Sequence, residues 1–407
     1  MLSAPPDAAQ HRRGLFRAIH PRRLKAIRPG TLREQTGASA ALLKNQSPET
    51  AEESQLTRGF ALHPGQLQQE KTKPAARSLL IDTVRGIAIS LVALGHTNQG
   101  ILHRGWWGAS QVGSRLDVLI YAFHMPAFFF VSGIFICASV QKRGPGRFVL
   151  ERIRTLIYPY LLWSVIDAMA VAVLSNFAVQ HPLSVKQFAI NLLTGYGIWF
   201  FPTLFLCQMV GMLLRRLPGA AIVSVAVVIY YFLPQTGVNF IDLARQFFPF
   251  VAAGMWVGGG YEQVEKVPRA LAFTCSAILF GTLWVAMYKP WTSYQNAVLL
   301  GGVIGTLMLI MLARSFGGSK LVRVFAWAGE ASLAIYLAGE YGQGLVRQLM
   351  QWVHITAPYP QLILPTIAAI AIPAWVYQHR VRLHLEWMFI APFFKQAAKR
   401  PHQQVQQ

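Results

Sequence analysis

Long apolar runs recur along the chain between residues 79 and 391. Each is close to the roughly 20 residues that a helix needs to cross a bilayer. Only 13% of the 407 residues are charged, well below the roughly 25% that is typical of soluble domains. The runs also lack the alternating apolar and polar residues of membrane β-barrel strands. The sequence therefore predicts an all-α polytopic membrane protein.

The apolar runs divide into ten segments, which predict about ten transmembrane helices. They cover residues 79–100, 116–139, 157–178, 195–214, 218–234, 243–260, 268–288, 296–314, 325–350 and 361–378. No internal repeat of the kind found in many secondary transporters is visible. We predict one membrane domain over residues 79–391 and a short cytoplasmic tail over residues 392–407.

The formal net charge of +21 is placed unevenly. With the N-terminus in the cytoplasm, the predicted inner loops and C-terminal tail hold seventeen Lys and Arg residues, against six on the outer side. This asymmetry follows the positive-inside rule and predicts that both termini are cytoplasmic. Residues 1–78 are polar and basic, which predicts a mostly disordered cytoplasmic tail. Because the positive charge is explained by topology, no nucleic-acid partner is expected.

The stretch IDTVRGIAISLVALGH places Asp82, Arg85 and His96 in the first segment. Arg85 and His96 are eleven residues apart, about three helical turns and 16 Å of rise, so their side chains share a face. Ionisable groups within a membrane helix usually face the bundle interior or a wet cavity. An arginine side chain can bind phosphate groups, and a histidine side chain can act as a general base. The alternatives are an arginine that snorkels to the membrane interface and a histidine with a structural role. Because the two side chains share a face, a functional role is favoured.

The spacing of Arg85 and His96 resembles the Arg/Lys-x10-His motif of the membrane acyltransferase-3 family. Later segments are also similar to that family: FHMPAFFFVSG (Phe123–Gly133), RFVLERIRTLIYP (Arg147–Pro159), GIWFFPTLFL (Gly197–Leu206) and SLAIYL (Ser332–Leu337). The resemblance covers about residues 78–390. FHMPAFFF and WFFPTLF look like the branch that acetylates sugar hydroxyls, such as fucose O-acetylases.

This resemblance implies an integral membrane O-acyltransferase of ten core helices, in a bacterial inner membrane. The implied donor is cytoplasmic acyl-CoA, most simply acetyl-CoA. The implied partners are membrane lipid, a carbohydrate acceptor that is lipid-linked or extracytoplasmic, and glycan-assembly machinery. In this family the motif histidine is held to be catalytic and the motif arginine essential. The chain departs from the family at Gly339, where many members have histidine, and at Leu204, where some have glutamate.

Further candidates lie in the second segment and in the loop that follows it. His124 is predicted in the same membrane half as His96, where the two could meet across the helix pair, and is a second catalytic candidate. The alternative is a polar contact that stabilises the two helices. Arg152 and Arg154 belong to the basic inner loop. Together with Arg85 they are predicted to hold CoA phosphates, and the alternative is a role as topology anchors.

The predicted substrate-binding residues are Asp82, Trp199, Tyr336 and Glu340. Tyr336 and Glu340 are four residues apart and share a helix face. Glu340 could bind acceptor hydroxyls or orient a histidine. Trp199 offers a flat apolar face to a sugar ring, and the alternative is an aromatic residue at the membrane interface.

The sequence shows no spacing typical of metal ligands, so no metal is expected. A transporter is the alternative functional class. A transporter or flippase of polysaccharide units would use the buried acidic and histidine side chains as a proton relay. The acyltransferase motifs and the lack of repeats weigh against it.

Overall fold

The computed structural model describes residues 78–173, 184–286 and 294–392, which belong to one compact unit that begins at Pro74. These described parts are helical and contain no strand. The predicted all-α membrane class is therefore confirmed. The predicted tail over residues 1–78, apart from Ser78, lies outside the described residues. So does all but the first residue of the tail predicted over residues 392–407.

The described ranges form fifteen α-helices. They are α1 (Leu79–His103), α2 (Val112–Ile134), α3 (Ile136–Arg143), α4 (Pro145–Arg152), α5 (Tyr158–Val173), α6 (Val185–Thr194), α7 (Phe200–Leu214), α8 (Gly219–Phe232), α9 (Asn239–Val257), α10 (Glu262–Glu265), α11 (Arg269–Ala286), α12 (Tyr294–Ser315), α13 (Lys320–Glu330), α14 (Ser332–Trp352) and α15 (Pro358–Gln378). A π-helical turn, Ile153–Ile157, joins α4 to α5.

Each of the ten apolar segments contains a helix, but the helices differ in length. Six helices or continuous helix pairs in the described ranges are long and apolar enough to cross a membrane, and a bent pair makes up to seven. The helices α7 and α8 are shorter. The chain is a multi-pass membrane protein, whereas the count of ten spans and the side of each terminus stay predictions.

The ninth segment differs from its predicted form. One helix over residues 325–350 was expected, but the chain breaks between α13 and α14 with a bend of 84°. The first part of this region, α13, packs very closely on α1. A Cβ atom on Gly86 would overlap the carbonyl oxygen of Phe325, and one on Gly329 would overlap that of Asp82. Glycine thus lets the two backbones touch, and the bend then directs α14 along α1.

Helix α1 is the central element of the described unit. It is capped by Ser78, whose hydroxyl accepts a hydrogen bond from the backbone N–H of Ile81. Such a cap satisfies one of the free N–H groups of the first turn. From there α1 contacts α2, α12, α13, α14 and α15. Because five helices surround it, polar side chains on α1 meet partners from distant parts of the sequence.

Candidate active site

Arg85, on α1, lies beside the bend at which α13 ends and α14 begins. Its Nη2 donates a hydrogen bond to the hydroxyl of Ser332 at 3.1 Å, and its Nη1 lies 4.0 Å from Oδ1 of Asp82. The Arg85 side chain is 38% exposed, whereas that of Asp82 is buried. The bend between α13 and α14 therefore brings Ser332 to the arginine of the sequence motif. Part of the Arg85 side chain stays exposed.

His96 faces Glu340 of α14. The distance between His96 Nδ1 and Glu340 Oε1 is 3.3 Å, and the side chains are 39% and 63% exposed. A carboxylate at Nδ1 orients an imidazole ring and leaves Nε2 directed elsewhere. Ionisable side chains within membrane helices usually face the bundle interior or a wet cavity rather than hydrocarbon. The contact places Glu340 beside a ring nitrogen of His96, and its role, in binding acceptor hydroxyls or in orienting a histidine, stays a prediction.

The seam between α1 and α14 continues beyond this pair. Thr97 donates a hydrogen bond to the side-chain oxygen of Gln343 at 2.7 Å, and Arg347 donates one to the backbone carbonyl of Thr97 at 3.0 Å. Both Gln343 and Arg347 are buried. The sequence analysis did not identify Gln343, Arg347 or Ser332 as candidate site residues. The spacing of Glu340, Gln343 and Arg347, which places them on one helix face, was the available signal.

His124 is buried and does not meet His96 directly. Its Nδ1 lies 2.6 Å from the carbonyl oxygen of Ile120, and a carbonyl only accepts, so Nδ1 donates. The ring of Tyr121 packs edge-to-face against both histidines, with its centroid 6.5 Å from that of His96 and 4.9 Å from that of His124. Tyr121, which the sequence did not single out, is thus the neighbour that connects them.

Arg152 and Arg154 lie at the junction of α4 and α5. The Arg152 guanidinium stacks over the ring of Phe148 at 4.8 Å. Arg154 points toward the backbone carbonyl of Ala391 at 3.4 Å. These contacts differ from those of Arg85, which lies beside α14. A phosphate site shared by the three arginines therefore stays a prediction.

Trp199 and Tyr336 belong to an aromatic cluster. Trp199 stacks on Phe247 with centroids 5.6 Å apart. Tyr336 packs against Phe200 and Phe201, at 5.3 and 5.4 Å. One face of the indole is therefore already covered. Substrate contacts of Trp199, Tyr336 and Asp82 stay predictions.

A second polar link joins α5 to α14. The Tyr341 hydroxyl donates a hydrogen bond to Oδ1 of Asp167. Tyr341 directly follows Glu340, so this link fixes the part of α14 that presents the carboxylate to His96. Within the described parts of the chain, no group of three His, Cys, Asp or Glu residues is arranged to hold a metal ion.

Comparison with known proteins matches the sequence model of an acyltransferase domain over residues 79–378. The chain is similar to nodulation protein NolL of Sinorhizobium fredii, with 26% identity over 284 residues, which cover 66% of this chain and 75% of that protein. Nodulation protein NolL of Mesorhizobium japonicum is 33% identical over 90 residues, 21% of this chain and 23% of that protein. No solved structure matches the chain. The matched domain runs from α1 to the end of α15 and contains every candidate residue described above.

Proposed function

The chain belongs to the acyltransferase-3 family, and we propose that this membrane acyltransferase moves an acyl group from cytoplasmic acyl-CoA to a hydroxyl of a carbohydrate or a lipid-linked glycan. The proposed acyl group is acetyl. The family assignment supports the class of reaction. The choice of donor and acceptor rests on the first-helix motif and on the placement of its side chains.

The contact between His96 and Glu340 carries this proposal. In the proposed reaction, His96 Nε2 takes the proton of the acceptor hydroxyl as its oxygen attacks the thioester carbonyl. The carbon–sulfur bond then breaks, and the imidazolium returns the proton to the departing thiolate. Glu340 holds the ring through Nδ1 and stabilises the transient positive charge. The products are an ester and free CoA, with no net proton released.

Arg85 supplies the proposed donor site at the other end of the same helix face. Eleven residues separate it from His96, a rise of about 16 Å in a helix. That rise is similar to the reach of the extended pantetheine arm of CoA. Arginine binds phosphate through a planar, bidentate fork. We assign the phosphates to Arg85, with Arg152 and Arg154 as further contacts, and Asp82 as the residue that positions the Arg85 side chain.

The remaining sequence candidates receive narrower roles in the proposal. His124 positions Tyr121, which in turn packs beside His96. Trp199 and Tyr336 form an aromatic wall, and Tyr336 lies one helical turn before Glu340 on α14. The proposed location is a bacterial inner membrane with both termini in the cytoplasm. The donor then enters from the inside, and the acceptor, supplied by glycan-assembly machinery, enters from the outside.

The test is consumption of the thioester by the purified full chain in lipid nanodiscs. Free thiol is measured after addition of acetyl-CoA, alone and with methyl glycosides of fucose, galactose, glucose and N-acetylglucosamine. Thiol release that depends on a glycoside, with acetyl ester in the product, supports the proposal. Succinyl-CoA and longer acyl-CoA donors extend the test. A protein that consumes no donor with any acceptor contradicts the proposal and favours a transporter.

A further inference from the structure

The helices α1 and α2 form a second polar surface near the loop that joins them. On α1, His96, Gln99 and His103 lie three and four residues apart and share a face. On α2, Asp117 and Tyr121 are one turn apart. The Asp117 side chain faces Gln99 and lies close enough to His96 and His103 for charge interaction. We call these five residues the mouth cluster. Of these five residues, the mechanism above uses His96 for proton transfer and Tyr121 only as its packing neighbour.

The mouth cluster stands on a rigid support. Asn98, which is fully buried, donates a hydrogen bond to the carbonyl of Gly113 at 2.9 Å and accepts one from the Trp107 indole at 3.0 Å. A Cβ atom on Gly113 would overlap that indole ring. These contacts fix both the loop and the first turn of α2 onto α1. They hold Asp117 opposite Gln99 before any ligand arrives.

The Asp117 carboxylate lies within hydrogen-bonding range of the side-chain amides of Gln99 and Asn98. Its Oδ1 is buried and accepts no well-formed hydrogen bond from the described residues, so this one oxygen has capacity left. A buried acceptor without a donor is costly, so such an atom calls for a donor. A carboxylate accepts from several hydroxyls, while amide and imidazole side chains both donate and accept. Together they suit a neutral ligand with adjacent hydroxyl groups, whereas the carboxylate disfavours an anion.

Tyr121 completes the surface on the side of His96. Its ring packs against Gly95, where an added Cβ atom would lie 3.1 Å from the ring. Glycine at this position lets the tyrosine approach α1 directly beside His96. The rings of His96 and Tyr121 stand nearly perpendicular with centroids 6.5 Å apart, and Tyr121 is partly exposed. A sugar ring over Tyr121 would bring its hydroxyls near both His96 and Asp117.

We propose that the mouth cluster is the binding site of the acceptor sugar, with Asp117 as its specificity-determining residue. Asp117 accepts hydrogen bonds from the hydroxyls that neighbour the one deprotonated by His96. Gln99 and His103 contact the outer part of the sugar. This inference rests on the proposed function, because it assigns the place and the hydroxyl pattern of the acceptor.

The first experiment compares the wild type with Asp117→Asn in nanodiscs. Kinetics are measured with the methyl glycoside that the wild type uses best, and with its analogue in which the neighbouring hydroxyl is replaced by hydrogen. We expect Asp117→Asn to raise the KM for the glycoside by about tenfold or more and to leave the KM for acetyl-CoA unchanged. The variant should also lose the preference for the glycoside over its deoxy analogue. A merely structural role would not remove that preference.

Two further variants keep the result interpretable. Gln99→Met keeps a side chain of similar length without its hydrogen bonds, and it should raise the glycoside KM in the same direction even if Asp117→Asn fails to fold. Glu262→Gln removes an exposed carboxylate on α10, whose Glu265 lies beside Ser78 at the end of α1 away from the mouth cluster, and should match the wild type. Saturable glycoside binding is measured in parallel by tryptophan fluorescence, which does not require turnover.

The outcomes separate this inference from the proposed function. If the glycoside is acetylated but Asp117→Asn and Gln99→Met keep wild-type KM values, the acceptor site is overturned and the function stands. If the wild type binds the glycoside, Asp117→Asn does not, and no thioester is consumed, the site stands and the function fails. If no glycoside binds and none is acetylated, both are overturned.

Discussion

Nδ1 of His96 lies 3.3 Å from Oε1 of Glu340, although the two residues belong to the first and the ninth apolar segments of the chain. The contact exists because the ninth segment bends after Glu330 and continues beside α1. The same bend places Ser332 against Arg85. The bend in the ninth segment thus gives both Arg85 and His96, at the two ends of the polar face on α1, a partner from α14.

Replacing Glu340 tests whether the carboxylate supports the histidine. Glu340→Gln can still hydrogen-bond Nδ1, but it cannot stabilise an imidazolium. We expect kcat to fall by about 10²-fold, at the lower end of typical general-base contributions, with little change in the KM for acetyl-CoA. Glu262→Gln is the matched control. A kcat equal to that of the wild type would remove Glu340 from the mechanism.

Replacing Arg85 by lysine tests the donor site. Lysine keeps the positive charge but loses the bidentate fork. We expect the KM for acetyl-CoA to rise by about tenfold, equivalent to about 1.4 kcal/mol of binding free energy. S-acetylpantetheine, which lacks the nucleotide phosphates, is the control donor, and its KM should not change. An equal effect on both donors would show that Arg85 does not act through those phosphates.

The glycine contacts between α1 and α13 carry a prediction about stability. Gly86→Ala places a methyl group against the backbone of Phe325, which cannot move as a flexible side chain would. We expect the free energy of unfolding to fall by about 1–3 kcal/mol, the usual cost of overpacking. Thermal unfolding in detergent measures it.

Gly344→Ala is the control for this substitution. Gly344 lies within α14 and has no neighbour near the position of an added Cβ atom. Alanine there should be neutral or stabilising because glycine is a poor helix former. Equal effects of the two substitutions would contradict the close packing of α1 on α13.

The link between Asp167 and Tyr341 predicts a defect of another kind. Tyr341→Phe leaves the carboxylate without its hydroxyl donor and should lower the free energy of unfolding by about 1–3 kcal/mol. The double variant with Asp167→Asn should lose less than the sum of the two single losses, since the residues are in contact. Additive losses in denaturation curves would indicate that the pair does not interact.

Much of the fold follows from the sequence, because apolar runs of this length satisfy their backbone hydrogen bonds in a membrane by forming helices. The period of the helix also places Arg85 and His96 on one face. The break between α13 and α14 was missed, since it depends on glycine packing against α1 rather than on hydropathy. The pairing of His96 with Glu340 follows from that break.

The second histidine shows the limit of reasoning from depth alone. His124 was expected to meet His96 across the helix pair, but the ring of Tyr121 packs against both histidines. Which side chains meet depends on how two helices rotate against each other. Asp117 escaped notice for the same reason, because its significance comes from Gln99 and the histidines opposite it.

The most direct test of the account is the rate of thiol release from acetyl-CoA by purified His96→Asn, in the presence of a glycoside that the wild type acetylates. His354→Asn is the matched control, because His354 lies exposed after α14 with a φ of +58°, which asparagine tolerates. We predict that His96→Asn remains folded and membrane-inserted but loses glycoside-dependent release, while His354→Asn keeps it. Wild-type release by folded His96→Asn would contradict the assignment of the catalytic centre to α1.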